Sequence, residues 1–198
     1  SLKELQALKS FQNSQTVTWL NVDGLHNIEL LTQVGDVFGF DKMVLAEVLK
    51  TGARPRLIDF ENCTLLSIKM LRKPMESKRV IIENVSIIVT KSILITFQEK
   101  KGDVFDPIRE RIKKQNTRIR NRGVDYLAYA LLDIVIDNYL YVLSDLGERI
   151  ENLEDVLLDN VDEKVITQIN QYKKELNFLR KTIKPAREMA LTLSKLDS

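Results

Sequence analysis

Two apolar seams in the second half of the chain constrain its fold most. The first runs through Ala128, Leu132, Val135, Tyr139, Val142, Leu146, Ile150, Leu153 and Leu157, in steps that are almost all three or four residues. The second runs through Val165, Ile169, Tyr172, Leu176, Leu179, Ile183, Ala186, Ala190 and Leu193 at similar spacing. Side chains three and four apart stack on one side of an α-helix, so each seam predicts a long helix with one packed stripe. The link from Leu158 to Asp162 is short, which predicts an antiparallel hairpin. Inside the second helix, Pro185 removes a backbone donor and frees the carbonyl of Lys181; a kink is expected there.

The first half is punctuated differently. Leu2, Leu5 and Leu8 have helical spacing, whereas TVTWLNV (16–22) alternates as a strand and stops at the turn pair Asp23-Gly24. Helical periodicity from Ile28 to Phe38 ends at Gly39, and Asp41 stands as an N-cap ahead of Val44, Leu45 and Val48. Three strands are expected over Cys63–Leu71, Val80–Thr90 and Ser92–Phe97, the last two as a hairpin. The stretch FQEKKGDVFDPIRER (97–111) ends that hairpin, turns at Lys101-Gly102-Asp103 and restarts as a helix. Asp106 is expected as its N-cap and Pro107 as its first helical residue. With no nucleophile, histidine or Gly-rich phosphate loop nearby, the stretch reads as a structural junction. The expected class is α+β. An N-terminal α/β/α sandwich with a mixed sheet (residues 1–120) is followed by a long antiparallel helical hairpin (residues 121–198).

A chain of 198 residues can bury a substantial core. Cys63 is the single cysteine and lies inside an apolar run, which excludes a disulfide framework and points to a buried thiol. His26 is the single histidine, weak support for zinc or general-base chemistry and better read as a surface residue. No uncharged apolar stretch approaches the roughly 20 residues that cross a bilayer, and no signal peptide opens the chain. The chain starts at Ser1 and stops on a helical pattern, so a piece of a longer protein is expected.

Charge is segregated although the net value is only +2. Seven Lys or Arg fall between Arg109 and Arg122, opposed by Glu110, and seven acids fall between Glu148 and Glu163, opposed by Arg149. Solvated faces, a subunit or domain contact, and nucleic-acid binding remain open for these blocks. Asp133 and Asp137 lie one helical turn apart, on a stretch from Tyr126 to Leu143 that is apolar nearly all round. Such a stretch is expected to be buried on more than one side. A carboxylate there needs a cation, an arginine or water, and all three stay open on the residues alone.

WLNVDGLH (19–26), ARPRLIDFEN (53–62), FQEKKGDVFDPIRERI (97–112), DYLAYALLDIVIDNY (125–139) and LRKTIKPARE (179–188) together resemble the cytoplasmic part of CorA-type divalent-cation channels. The similarity runs in order from Thr16 to Glu188. It implies a homopentameric magnesium and cobalt channel of the inner membrane, whose cytoplasmic funnel senses Mg²⁺ and closes the pore. The family carries adjacent acids that help hold a regulatory cation between subunits; the matching tripeptide here is Leu45-Ala46-Glu47, so Glu47 survives and its neighbour is alanine. The family's long-helix aspartate near a second cation position is matched by Asp133. Asp137, one turn on, is the weaker candidate. The Gly-Met-Asn pore signature, both membrane helices and the stalk helix are missing from the residues present.

The expected function is therefore a non-enzymatic, cytoplasmic Mg²⁺-sensing domain, with Mg²⁺ (or Co²⁺) as regulatory ligand at Glu47, Asp133 and Asp137. The fragment is expected to be a soluble monomer or weak oligomer that becomes pentameric in the full-length channel. It would meet the membrane only through segments it lacks, and would take no nucleic-acid partner. The alternatives are the cytoplasmic domain of a related zinc transporter or, from another class, a basic nucleic-acid-binding or scaffold protein.

Overall fold

The computed structural model describes residues 7–13, 15–73, 80–159 and 163–196. Its centre is a five-stranded mixed sheet of β1 (Thr18–Asp23), β2 (Arg56–Asp59), β3 (Thr64–Arg72), β4 (Ile81–Val89) and β5 (Ile93–Gln98), in the order β1-β5-β4-β3-β2. β1 runs parallel to β5, with Trp19 opposite Leu94 and Val22 opposite Phe97. The other pairings are antiparallel. The expected hairpin is present as β4 and β5, with Val89 opposite Leu94. β2 was not expected: it is four residues long, follows Pro55 and lies at the sheet edge, too short to show an alternation.

The helices are α1 (Ile28–Phe38), α2 (Lys42–Val48), α3 (Asp106–Lys113), the single turn α4 (Arg118–Asn121), α5 (Val124–Asp159) and α6 (Glu163–Leu196). Pleating divides the sheet's apolar side chains between two faces. Leu65, Ile88, Ile93, Ile95 and Phe97 meet Leu31, Val34, Val44 and Val48 of α1 and α2. Leu66, Ile68, Met70, Val85, Ile87 and Leu94 meet Ile108 of α3, the seam of α5, and Leu179 and Ala186 of α6. The result is a helix–sheet–helix sandwich in which α5 itself supplies much of one helical layer. Tyr139 hydroxyl and the Asn138 amide donate to the β3 carbonyls of Lys69 and Leu71, pinning α5 to the strand.

The α5 seam is buried as its spacing requires, with Val135, Val142 and Leu146 fully enclosed. The α6 seam is buried at Val165, Leu179 and Ala186, but Ile169 and Leu176 are exposed. α6 continues through Pro185 as one helix. Arg149 of α5 holds Glu175 of α6 at 2.8 Å and lies over the Tyr172 ring, as the expected antiparallel pairing requires. Leu2, Leu5, the connection 160–162 and the side chain of Leu193 lie outside the described residues. By length and composition α5 could cross a membrane, with a window of mean hydropathy 1.4, but 44% of that window is buried inside the protein.

The local stops follow their residues. Asp41 Oδ1 accepts from Met43 N–H and caps α2, as expected. Gly39 closes α1 at φ +71°, and a Cβ there would meet nothing within 4 Å. Gly39→Ala therefore carries only the backbone cost of a left-handed alanine. We expect a loss of about 1 kcal/mol by urea unfolding, with an unchanged m-value. A loss above about 3 kcal/mol would mean that a steric clash, not backbone conformation, dominates.

Candidate cation-binding residues

The junction after β5 is built on Asp103, not on Asp106. Asp106 is the first residue of α3 and makes no side-chain cap; Phe105 holds the cap position, with Pro107 in the first turn. Asp103 Oδ1 instead accepts from Phe105 N–H at 2.9 Å, and both Asp103 oxygens take the Arg109 guanidinium, at 2.6 and 2.5 Å. The Asp103 carboxylate is only 5% exposed. Burial pushes its pKa up, but Arg109, the Phe105 N–H and Gln98 outweigh that and hold it below the usual carboxylate range. The same pair raises the pKa of Arg109. The expected Asp106 cap fails because Phe105 holds the cap position, and its carbonyl takes the Ile108 and Arg109 N–H groups that an Asp106 cap would have served. Asp106 is left to pair with Arg109 at 2.8 Å from solvent.

Glu47 lies in the last turn of α2, with its carboxylate 19% exposed. It is already paired: Lys50 Nζ donates to Oε1, and Arg56 Nη2 donates to Oε2 at 2.6 Å. The Lys50 contact is the largest influence on its pKa; together with Arg56 it outweighs burial and holds the carboxyl below its ordinary value. A cation reaching Glu47 must displace or share those two partners.

Asp133 and Asp137 are both exposed, which corrects the expectation of a stretch buried on more than one side. The residues near them on the outer face of α5 are exposed too: Tyr129 by 66%, Leu140 by 62% and Tyr141 by 60%. The helix is apolar all round in sequence, yet among the described residues only the side facing the sheet and α6 is buried. Neither aspartate makes an ion pair or hydrogen bond among the described residues. Four residues along an α-helix is a rise of about 6 Å, so the two carboxylates stand together on one outward strip.

The structure brings Asp133 and Asp137 together, and it does not bring Glu47 to them. Glu47 is on the helical layer over one sheet face; the two aspartates are on the layer over the other. Among the described residues no three His, Cys, Asp or Glu side chains gather into a group that could hold a metal ion. His26 is exposed at the turn after β1 and Cys63 is buried, as expected.

Glu83 was not singled out in the sequence, although an acid inside the apolar run of β4 is a readable signal. It is 3% exposed, and its carboxylate lies 3.0 Å from Arg72 Nη2 and accepts from Lys100 N–H at 3.1 Å. Burial raises its pKa, opposed in part by Arg72. It ties β4 to the end of β5 and stands apart from the aspartate strip.

A protein-family model described as "CorA-like Mg2+ transporter protein" matches residues 14–198. The cobalt/magnesium transport protein CorA of Thermotoga maritima is 36% identical over 190 residues, 96% of this chain and 54% of that protein. The CorA of Methanocaldococcus jannaschii is 25% identical over 142 residues, 71% of this chain and 44% of that protein. This chain thus spans about half the length of those relatives or less. Among solved structures, the soluble domain of the M. jannaschii CorA superposes with a TM-score of 0.75 at 22% identity, covering 88% of this chain and 69% of that one. The cytoplasmic domain of ZntB from Vibrio parahaemolyticus superposes at 0.73 with 13% identity, covering 93% and 72%. These two likenesses are of fold.

Proposed function

We propose that this chain, which belongs to the CorA-like Mg²⁺ transporter family, is the cytoplasmic Mg²⁺-sensing part of an inner-membrane Mg²⁺/Co²⁺ channel and catalyses no reaction. The observation that carries the proposal is the outward strip of α5, where Asp133 and Asp137 face solvent without a cationic partner among the described residues. Two carboxylates one turn apart suit a hard divalent cation that takes oxygen ligands and keeps several of its waters. Glu47 would act separately, as one half of a site completed by a neighbouring subunit. A hydrated cation between such carboxylates lowers the repulsion between subunits and favours a closed pentameric funnel; its loss releases them.

The oxygen-only donors favour Mg²⁺ or Co²⁺ over a zinc-transporting function. Zinc sites draw on His and Cys, and here the one histidine and the one thiol stand apart from the strip and from Glu47. The fold shared with the ZntB domain keeps the zinc reading as the second choice.

The test uses the full-length channel in liposomes. Asp133→Asn keeps shape and removes charge, so the Mg²⁺ concentration that half-inhibits flux should rise several-fold while the far-ultraviolet spectrum stays unchanged. An unaltered inhibition curve would return Asp133 to the ordinary solvated surface. For the present chain alone, the Mg²⁺-dependent shift in melting should be small. A ligand at ten times its dissociation constant adds about 1.4 kcal/mol, and a half-built site at Glu47, held by Lys50 and Arg56, should give well under that. A stable pentamer of this chain with a large Mg²⁺ shift would overturn the shared-site role of Glu47.

A further inference from the structure

The basic run between Arg109 and Arg122 has no role in cation sensing, yet the fold gathers much of it around one cavity. That cavity, about 770 Å³, lies where the start of β1, the β4–β5 turn, α3, α4 and the beginning of α5 meet. Lys91, Arg109, Lys113, Arg120 and Arg122 line it, and among the described residues no Asp or Glu does. Its volume lies within the usual range for small-ligand sites. The chain as a whole carries only +2, so the cavity's charge is local and not a by-product of a basic protein.

Two of the five cations are compensated: Arg109 by Asp103 and Asp106, and Lys113 by Glu110 at 2.7 Å. Lys91 and Arg122 have no ion pair among the described residues. Arg120 gives one guanidinium nitrogen to the Ile112 carbonyl at 2.9 Å and keeps its charge unneutralised. Three uncompensated cations around one concavity match an anion with several charges on adjacent groups. Arginine forks bind phosphate oxygens in pairs, and lysine adds a point charge.

The cavity's aromatic residue does not offer a stacking platform. The Arg109 guanidinium lies 5.2 Å from the Trp19 ring centroid, the Phe105 and Trp19 rings form a T-shaped pair with centroids 5.8 Å apart, and Trp19 Nε1 donates to Thr96 Oγ1 at 3.0 Å. A base would have to displace the Arg109 guanidinium to stack on the Trp19 ring, so recognition would fall on the phosphates. We propose that this cavity binds a compact oligophosphate, either inorganic or the phosphate chain of a nucleotide, with Lys91, Arg120 and Arg122 as its charged contacts.

The test uses this chain without divalent cations, so that chelation of Mg²⁺ plays no part. Inorganic triphosphate, ATP and GTP are titrated by calorimetry and by the fluorescence of Trp19, the single tryptophan. All three should saturate one site with affinities within a few-fold of each other, weakening as salt rises. Arg122→Gln and Lys91→Gln should each weaken binding about tenfold. Arg118→Gln, an exposed cation outside the cavity, should leave it unchanged. Lys91 and Arg122 are exposed, so the variants should fold, which circular dichroism checks. Absence of saturable binding would overturn the proposal. So would an equal loss in Arg118→Gln, which marks diffuse attraction. Tighter binding of a single-stranded oligonucleotide than of triphosphate would also overturn it, in favour of a nucleic-acid surface.

Discussion

Asp103→Asn should destabilise the chain by about 3 kcal/mol, the scale of breaking a buried ion pair by removing one partner. The substitution leaves the size of the side chain and the acceptor for Phe105 N–H in place, so the loss isolates the charge. Among the described residues Arg109 would then keep Asp106 as its one ion-pair partner, whose carboxylate is 86% exposed and therefore weak. For a domain of this length the melting temperature should fall by roughly 9 °C. Urea unfolding of both proteins at neutral pH measures it. A loss under about 1 kcal/mol would mean that Asp103 contributes no more than a surface pair.

The same pair has a defined pH signature. The folded state holds the pKa of Asp103 below its ordinary value of 3.8, so its ionised form is favoured by folding. Its contribution is fully present above that ordinary value and disappears as pH falls through the lower folded value. The stability gap between the wild type and Asp103→Asn should therefore be constant from neutral pH to about pH 5, begin to narrow below about pH 4 and close only as pH passes the lower folded value. Glu83 acts with the opposite sign. Burial raises its pKa, so its ionisation lowers stability as pH rises through that raised value, and it cannot account for a gap that closes in acid.

Where periodicity was long, the fold was readable from residues: α5, α6 and the β4–β5 hairpin all stand where spacing placed them. Short-range chemistry was readable too when a single residue decided it, as with Gly39 and the Asp41 cap. β2 escaped because four residues after a proline show no period, and its strand state is set by pairing with β3. The helix start at Asp106 was misplaced for a related reason. The helix begins one residue earlier than an Asp106 cap would set it, with the Phe105 carbonyl taking the Ile108 and Arg109 N–H groups, and a short polar run does not show which residue caps.

The candidate site was legible as residues but not as geometry. Asp133 and Asp137 share a face by helical spacing alone. That this face is open to solvent depends on which side of an all-round apolar helix meets the sheet, and spacing does not encode that choice. Likewise the basic run is visible in sequence as a charge block. Its arrangement as a concavity needs Lys91, brought from the β4–β5 turn by the parallel pairing of β1 with β5. The Lys50 and Arg56 clamp on Glu47 joins a residue just past the end of α2 to the first residue of the strand that escaped notice.

Phe105→Ala should have the largest effect of any single truncation near this junction, about 4 kcal/mol. The side chain is fully buried, its ring meets Trp19 in a T-shaped contact, and its carbonyl accepts from Ile108 and Arg109 N–H groups at the start of α3. Truncation removes the ring's transfer free energy and leaves a cavity between β1 and α3 that the sheet cannot close. Phe105→Leu fills most of that space and should cost roughly 1.5 kcal/mol, the aromatic contact being about 1 kcal/mol of it. Because the Phe105 ring and the Arg109 guanidinium held by Asp103 both lie against Trp19, the double variant with Asp103→Asn should lose less than the sum of the two single losses. The shortfall should be about 1 kcal/mol, within the range for residues that share a contact partner. Strict additivity in urea unfolding would show that the ring packs independently of the ion pair. The junction would then be two separate contacts rather than one unit that sets the start of α3.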